Sequence, residues 1–138
     1  MLTRPISAAR GVHGLLLAFP VALFSLALAT DVTYLKTEEL QWSNFSSWAI
    51  AGGLVFGAVV VLWSLIDLIR LGGRWHLVYS LLLLAMCGLG LVNAFKHSQD
   101  GWSSVGTLGV TLSALCCLLA LVAGWVRYCG ALDEGDRR

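Results

Sequence analysis

Residues 11–28 read GVHGLLLAFPVALFSLAL. With Ala29 and Thr30 they form a run of 20 positions free of Lys, Arg, Asp and Glu. A helix crossing a bilayer core of about 30 Å needs about 20 mainly apolar residues. The run therefore has the length of one crossing, although it carries His13 near one end and Pro20 in its middle. Three more charge-free runs follow, at residues 40–66, 75–95 and 101–126, of 27, 21 and 26 positions. Of the 138 residues, 58% are hydrophobic and 12% charged, against about 25% charged in an ordinary soluble domain. The pattern predicts an all-α chain forming one integral membrane four-helix bundle over residues 1–138. Its spans lie near 11–34, 48–71, 75–95 and 102–128. A net charge of +1 with no basic run argues against nucleic acid as a partner.

The first run also has the flanks of a signal peptide: Arg4 and Arg10 before it, and Ala27-Leu28-Ala29 as a small-residue cleavage site. It is longer than the apolar core of about 7–15 residues typical of such a leader, so it is read as a retained helix. In a four-span arrangement Arg4, Arg10, Arg70, Arg74, Arg127, Arg137 and Arg138 lie on one side, and Lys36 and Lys96 on the other. The positive-inside rule then puts both termini in the cytoplasm. The expected setting is a multi-pass protein of a bacterial inner membrane, with residues 35–47 as an outer loop and residues 129–138 as a disordered charged tail.

Within the spans, small residues mark helix contacts. Gly53 and Gly57 form a small-xxx-small pair, on a stripe shared with Val60, Ser64 and Asp67. Gly106, Gly109, Ser113, Cys117, Ala120 and Gly124 form a second stripe along the last span. That stripe serves either packing inside the bundle or a homodimer seam. Leu71-Gly72-Gly73 reads as a tight turn. The four cysteines show no CxxC spacing, so neither a zinc site nor a redox dithiol is indicated. Asn44-Phe45-Ser46 matches a glycosylation sequon, a pattern too short to carry weight.

Three ionisable groups fall at matched depth near the inner boundary: His13, Asp67 and His76, each two or three residues from Arg10, Arg70 or Arg74. Ionisable groups in spans mark functional sites by default. In one reading His13 and His76 are axial ligands of a haem b, with Asp67 orienting one ring. In the other, Asp67 accepts hydrogen bonds from the histidines, or pairs with Arg70 or Arg74, and merely closes the bundle end. His97, beside Lys96 and Asp100, is expected in solvent. No triad, glycine-rich phosphate loop or HExxH motif occurs, so no enzyme activity is indicated.

His13, Phe19-Pro20, Gly52-Gly53, Ser64-Leu65-Ile66-Asp67, His76, Asn93 and Lys96 together resemble a bacterial membrane family of unknown function numbered 2231. Its members carry a histidine before Phe-Pro, where this chain has Ala18. The likeness spans about residues 11–128 and implies a four-span fold in a redox setting. The resulting expectation is a small inner-membrane subunit, haem- or quinone-linked, serving electron transfer with a membrane or periplasmic redox partner. The alternatives are an accessory protein without cofactor and a metal-responsive protein using the same histidines.

Overall fold

The computed structural model describes residues 8–99 and 105–136, with side chains placed through residue 129. It contains four helices: α1 (Ala8–Thr37), α2 (Leu40–Leu71), α3 (Arg74–Ser98) and α4 (Thr107–Asp136). Each packs on its neighbours in the chain, and α4 closes the ring against α1. The diagonal pairs, α1 with α3 and α2 with α4, meet only through side chains. All four helices are long and apolar enough to cross a membrane. The start of α1, the end of α4 and the α2–α3 turn lie at one end of the bundle, called here the termini end. The α1–α2 turn, the end of α3 and the start of α4 lie at the other, the hairpin end.

The turns follow from local chemistry. Gly72 and Gly73 take φ of 64° and 92°, a left-handed backbone open to glycine without penalty. The Gly72 amide also caps α2 by donating to the Leu68 carbonyl at 3.0 Å. At the hairpin end the expected outer loop over residues 35–47 is replaced by helix. Only Glu38 and Glu39 separate α1 from α2. The helical spacing explains this: Ser43, Ser46, Ala49, Ile50, Gly53 and Gly57 are all buried, so one inward face continues through the polar segment. Glu38 makes the turn at φ 57°, with its amide donating to the Tyr34 carbonyl at 2.7 Å. At 1.5 Å per residue α2 is about 48 Å long. That exceeds a hydrocarbon core of about 30 Å, so a helix of this length has residues to spare for one crossing.

One other boundary differs from expectation. α4 continues to Asp136, through most of the segment expected as a tail; residues 137–138 lie outside the described residues. The predicted start of the last span near Trp102 and the acid Asp100 also lie outside them, as does Arg4. α1 passes Pro20 as one helix.

The bundle centre is organised by one ring. Phe24 is fully buried. A Cβ added at Gly53 would stand 3.2 Å from the Phe24 ring, and one added at Gly90 would stand 3.1 Å from it. The two glycines, on α2 and α3, leave the slot that the α1 ring fills. Lipid is as apolar as leucine, so this contact holds by close packing rather than by exclusion of water. On α4 the inward face comprises Leu112, Ser113, Cys116, Ala120 and Ala123. Of the small-residue stripe, Gly109 is also buried, Cys117 and Gly124 are half-buried, and Gly106 is exposed. Large apolar side chains such as Leu62, Leu91 and Leu118 face outward, as a lipid-facing surface requires.

Candidate functional site

Polar side chains gather at both ends of the bundle, in two different arrangements. At the hairpin end α1 supplies Asp31, α2 Ser46, α3 Asn93 and His97, and α4 Ser113, all buried. His97 Nε2 lies 2.9 Å from Asp31 Oδ1 and 3.3 Å from Ser46 Oγ. Ser113 donates to Asp31 Oδ2 at 2.5 Å, and Asn93 Nδ2 donates to Ser113 Oγ at 2.8 Å. His97 is therefore not in solvent. The short hairpin and the continued helical face of α3 turn it inward, onto a carboxylate that the sequence reading left unassigned.

The partners fix most of the protons. A backbone carbonyl only accepts, so His97 Nδ1 carries hydrogen and donates to the Asn93 carbonyl at 3.0 Å. Ser46 donates to the Ala27 carbonyl at 3.3 Å for the same reason. Ser113, receiving the Asn93 amide, must give its own proton to Asp31. One proton is left, between His97 Nε2 and Asp31 Oδ1. Whichever atom holds it, the pair as a whole is neutral. Among the described residues, Asn93 Oδ1 is the single buried side-chain oxygen or nitrogen without a partner. Apart from that oxygen the network closes on itself, and it ties all four helices together.

The termini end is different. His13 is buried on α1, edge-on to Trp63 of α2 with ring centres 5.4 Å apart. Its Nε2 makes a long contact of 3.4 Å with Tyr79 Oη of α3. Asp67 on α2 meets neither histidine through a hydrogen bond. Its carboxylate lies 3.8 Å from the Arg127 guanidinium of α4, which also stands 5.7 Å above the Tyr79 ring. Two diagonal contacts therefore cross here: His13 with Tyr79, and Asp67 with Arg127. His76 is half-buried in the first turn of α3.

These side chains leave space rather than filling it. His13, His76, Tyr79 and Arg127 line a cavity of about 220 Å³, together with Arg10 and Trp75. A second, apolar groove of about 640 Å³ runs between α1 and α4, past Leu17, Val21, Ser25, Leu121 and Trp125. Gly14 and Tyr128 belong to the walls of both. A Cβ at Gly14 would come within 2.6 Å of Tyr128 Oη, so the glycine is what lets the phenol lie against α1 where cavity and groove meet. The histidine pair predicted from sequence thus shares one cavity, with Asp67 behind Arg127. Tyr79, Tyr128 and Arg127 were not assigned to the site. The signal for two of them was present: Tyr79 lies one turn after His76, and Arg127 matches Asp67 in depth. No group of three His, Cys, Asp or Glu side chains able to hold a metal converges among the described residues.

The model of a family described as a predicted membrane protein (DUF2231) matches residues 9–127. The chain belongs to this family. The match takes in both polar ends of the bundle, from His13 to Arg127. No curated protein and no solved structure is similar enough to match.

Proposed function

We propose that this DUF2231 member is a binding protein for a membrane-resident amphiphile. The polar head sits in the cavity at the termini end, and the tail lies along the α1–α4 groove. The observation that carries this reading is the shared wall of Gly14 and Tyr128, which joins a donor-rich cavity to an apolar, lipid-facing groove. A head with oxygen acceptors, such as a quinone or a lipid headgroup, matches imidazole, phenol, indole and guanidinium donors. At the hairpin end, among the described residues, the polar groups other than Asn93 Oδ1 are spent on one another.

A haem b between His13 and His76 has less support from this geometry. The cavity is smaller than the roughly 300–1,000 Å³ of ordinary ligand pockets, and the His13 ring is packed between Trp63 and Tyr79. A porphyrin would require the helices to part. What favours the haem reading is that both histidines line one cavity.

The test is to purify the protein in mild detergent and identify retained amphiphiles by mass spectrometry. Ala22 lines the groove and is exposed on α1, so Ala22→Trp fills the groove without entering the core. The wild type should retain one amphiphile class above its share of the bulk lipid, and Ala22→Trp should lose it while keeping its helix content. A folded wild type carrying only the bulk lipid mixture would overturn the reading.

A further inference from the structure

Resting on the amphiphile reading, we infer that the head held in the cavity is the phosphate of an anionic membrane phospholipid from the leaflet at the termini end. Three features converge on this class. The first is charge. Arg10 and Arg127 bring guanidinium groups to the cavity from α1 and α4, His13 and His76 bring imidazoles, and among the described side chains no carboxylate lines it. Asp67 approaches Arg127 from outside the cavity at 3.8 Å, too long for a bidentate pair. It leaves guanidinium donors available for a phosphate, whose oxygens match the fork geometry. A neutral quinone head has two carbonyl acceptors and no negative charge to offer the Arg127 guanidinium.

The second feature is depth. Arg10 and His76 each lie in the first turn of a span, and Arg127 two residues before the end of the α4 span at Cys129. All three sit at the headgroup level, with Trp75 beside them. The third is length. Along α1 the groove runs from Gly14 to Ser25, eleven residues or roughly 16 Å at the helical rise. The hydrocarbon core is about 30 Å thick, so the groove spans one leaflet. That length suits an acyl chain; a long isoprenoid tail would overrun it. Ser25 marks the inner limit, with its hydroxyl held by the Val21 carbonyl at 2.7 Å and by Cys117 Sγ at 3.3 Å.

The proposal is tested in nanodiscs followed by native mass spectrometry. Discs are made from phosphatidylcholine alone, from phosphatidylcholine with phosphatidylglycerol, and from phosphatidylcholine with ubiquinone. The expected result is selective retention of phosphatidylglycerol, about tenfold weaker in Arg127→Gln and retained better in Arg127→Lys. Arg10→Gln, at an exposed position, should weaken it similarly and guards against misfolding of the Arg127 variant. Retention of ubiquinone without phosphatidylglycerol would overturn this inference and leave the amphiphile reading standing. Displacement of phosphatidylglycerol by inorganic phosphate, added to a further sample of the phosphatidylcholine–phosphatidylglycerol discs, would make this a free-anion site and overturn it too. Retention of neither amphiphile by the folded protein would overturn both.

Discussion

Replacing Asp31 with alanine should be among the most damaging single changes in this protein. The carboxylate receives Ser113 at 2.5 Å and faces His97 Nε2 at 2.9 Å, with its side chain fully buried. Removing it leaves an imidazole and a hydroxyl without an acceptor among helices that exclude water. Two magnitudes compete. Hydrogen bonds between transmembrane helices average about 0.6 kcal/mol and reach at most about 1.7. Breaking one partner of a buried ion pair costs about 3–5 kcal/mol. Asp31 meets two side chains from two helices and shares a proton with one of them, so the second scale applies and a loss of about 3–5 kcal/mol is expected. His97→Leu should cost about as much. Asp31→Ala with His97→Leu should cost well under the sum, because no unpaired group remains at the pair itself; the coupling should be about 2–3 kcal/mol. Reversible unfolding in mixed detergent and SDS micelles, followed by circular dichroism, measures all three. A single-variant cost below about 1 kcal/mol, or strict additivity in the cycle, would refute the assignment of this network as the clamp of the bundle.

Two further outcomes follow from local geometry. Glu38 holds a left-handed backbone at φ 57°, which costs a non-glycine residue roughly 1–2 kcal/mol, so Glu38→Gly should raise stability by about 1 kcal/mol in the same titration. No gain would mean that the glutamate side chain offsets the strain. Gly90→Ala would place a Cβ 3.0 Å from Leu54 Cδ2 and 3.1 Å from Phe24 Cζ, and should cost about 1–3 kcal/mol by overpacking. Phe24→Leu should partly rescue it by freeing the slot; a rescue at no level would show that the ring is not what Gly90 accommodates.

Much of this fold was legible from the chain alone because a bilayer leaves few options. Backbone groups in lipid must pair within the segment, so four charge-free runs of crossing length are read as four helices. Gly72-Gly73 identified itself as a turn, and Gly53 and Gly57 as positions of close approach, because glycine chemistry is local. The loop reading of residues 35–47 failed for a physical reason. Polarity there signals exposure only if the helix has ended, whereas Ser43 and Ser46 continue the buried face of α2. The same assumption put His97 in solvent and left Asp31 unremarked. A 3–4 spacing carried through Phe24, Ala27 and Asp31, and through Gly90, Asn93 and His97, was the signal that both helices keep their inward face to the hairpin end.

His13, Asp67 and His76 show the division from the other side. Charge asymmetry and span length sufficed to place them at one depth, since both are properties of a single helix in a membrane. Which neighbour each one meets depends on how the four helices are rotated about their axes. Amphipathic periodicity is weak in a helix that is apolar all round, so the sequence does not state that rotation. Tertiary packing decided that Arg127 meets Asp67 across the bundle and that His13 faces Tyr79. It also decided that Gly14, by admitting the Tyr128 phenol, joins the histidine cavity to a groove open to lipid. Membrane residence and four crossings belong to the sequence; the cavity exists only between helices, and its shape is set by their mutual rotation.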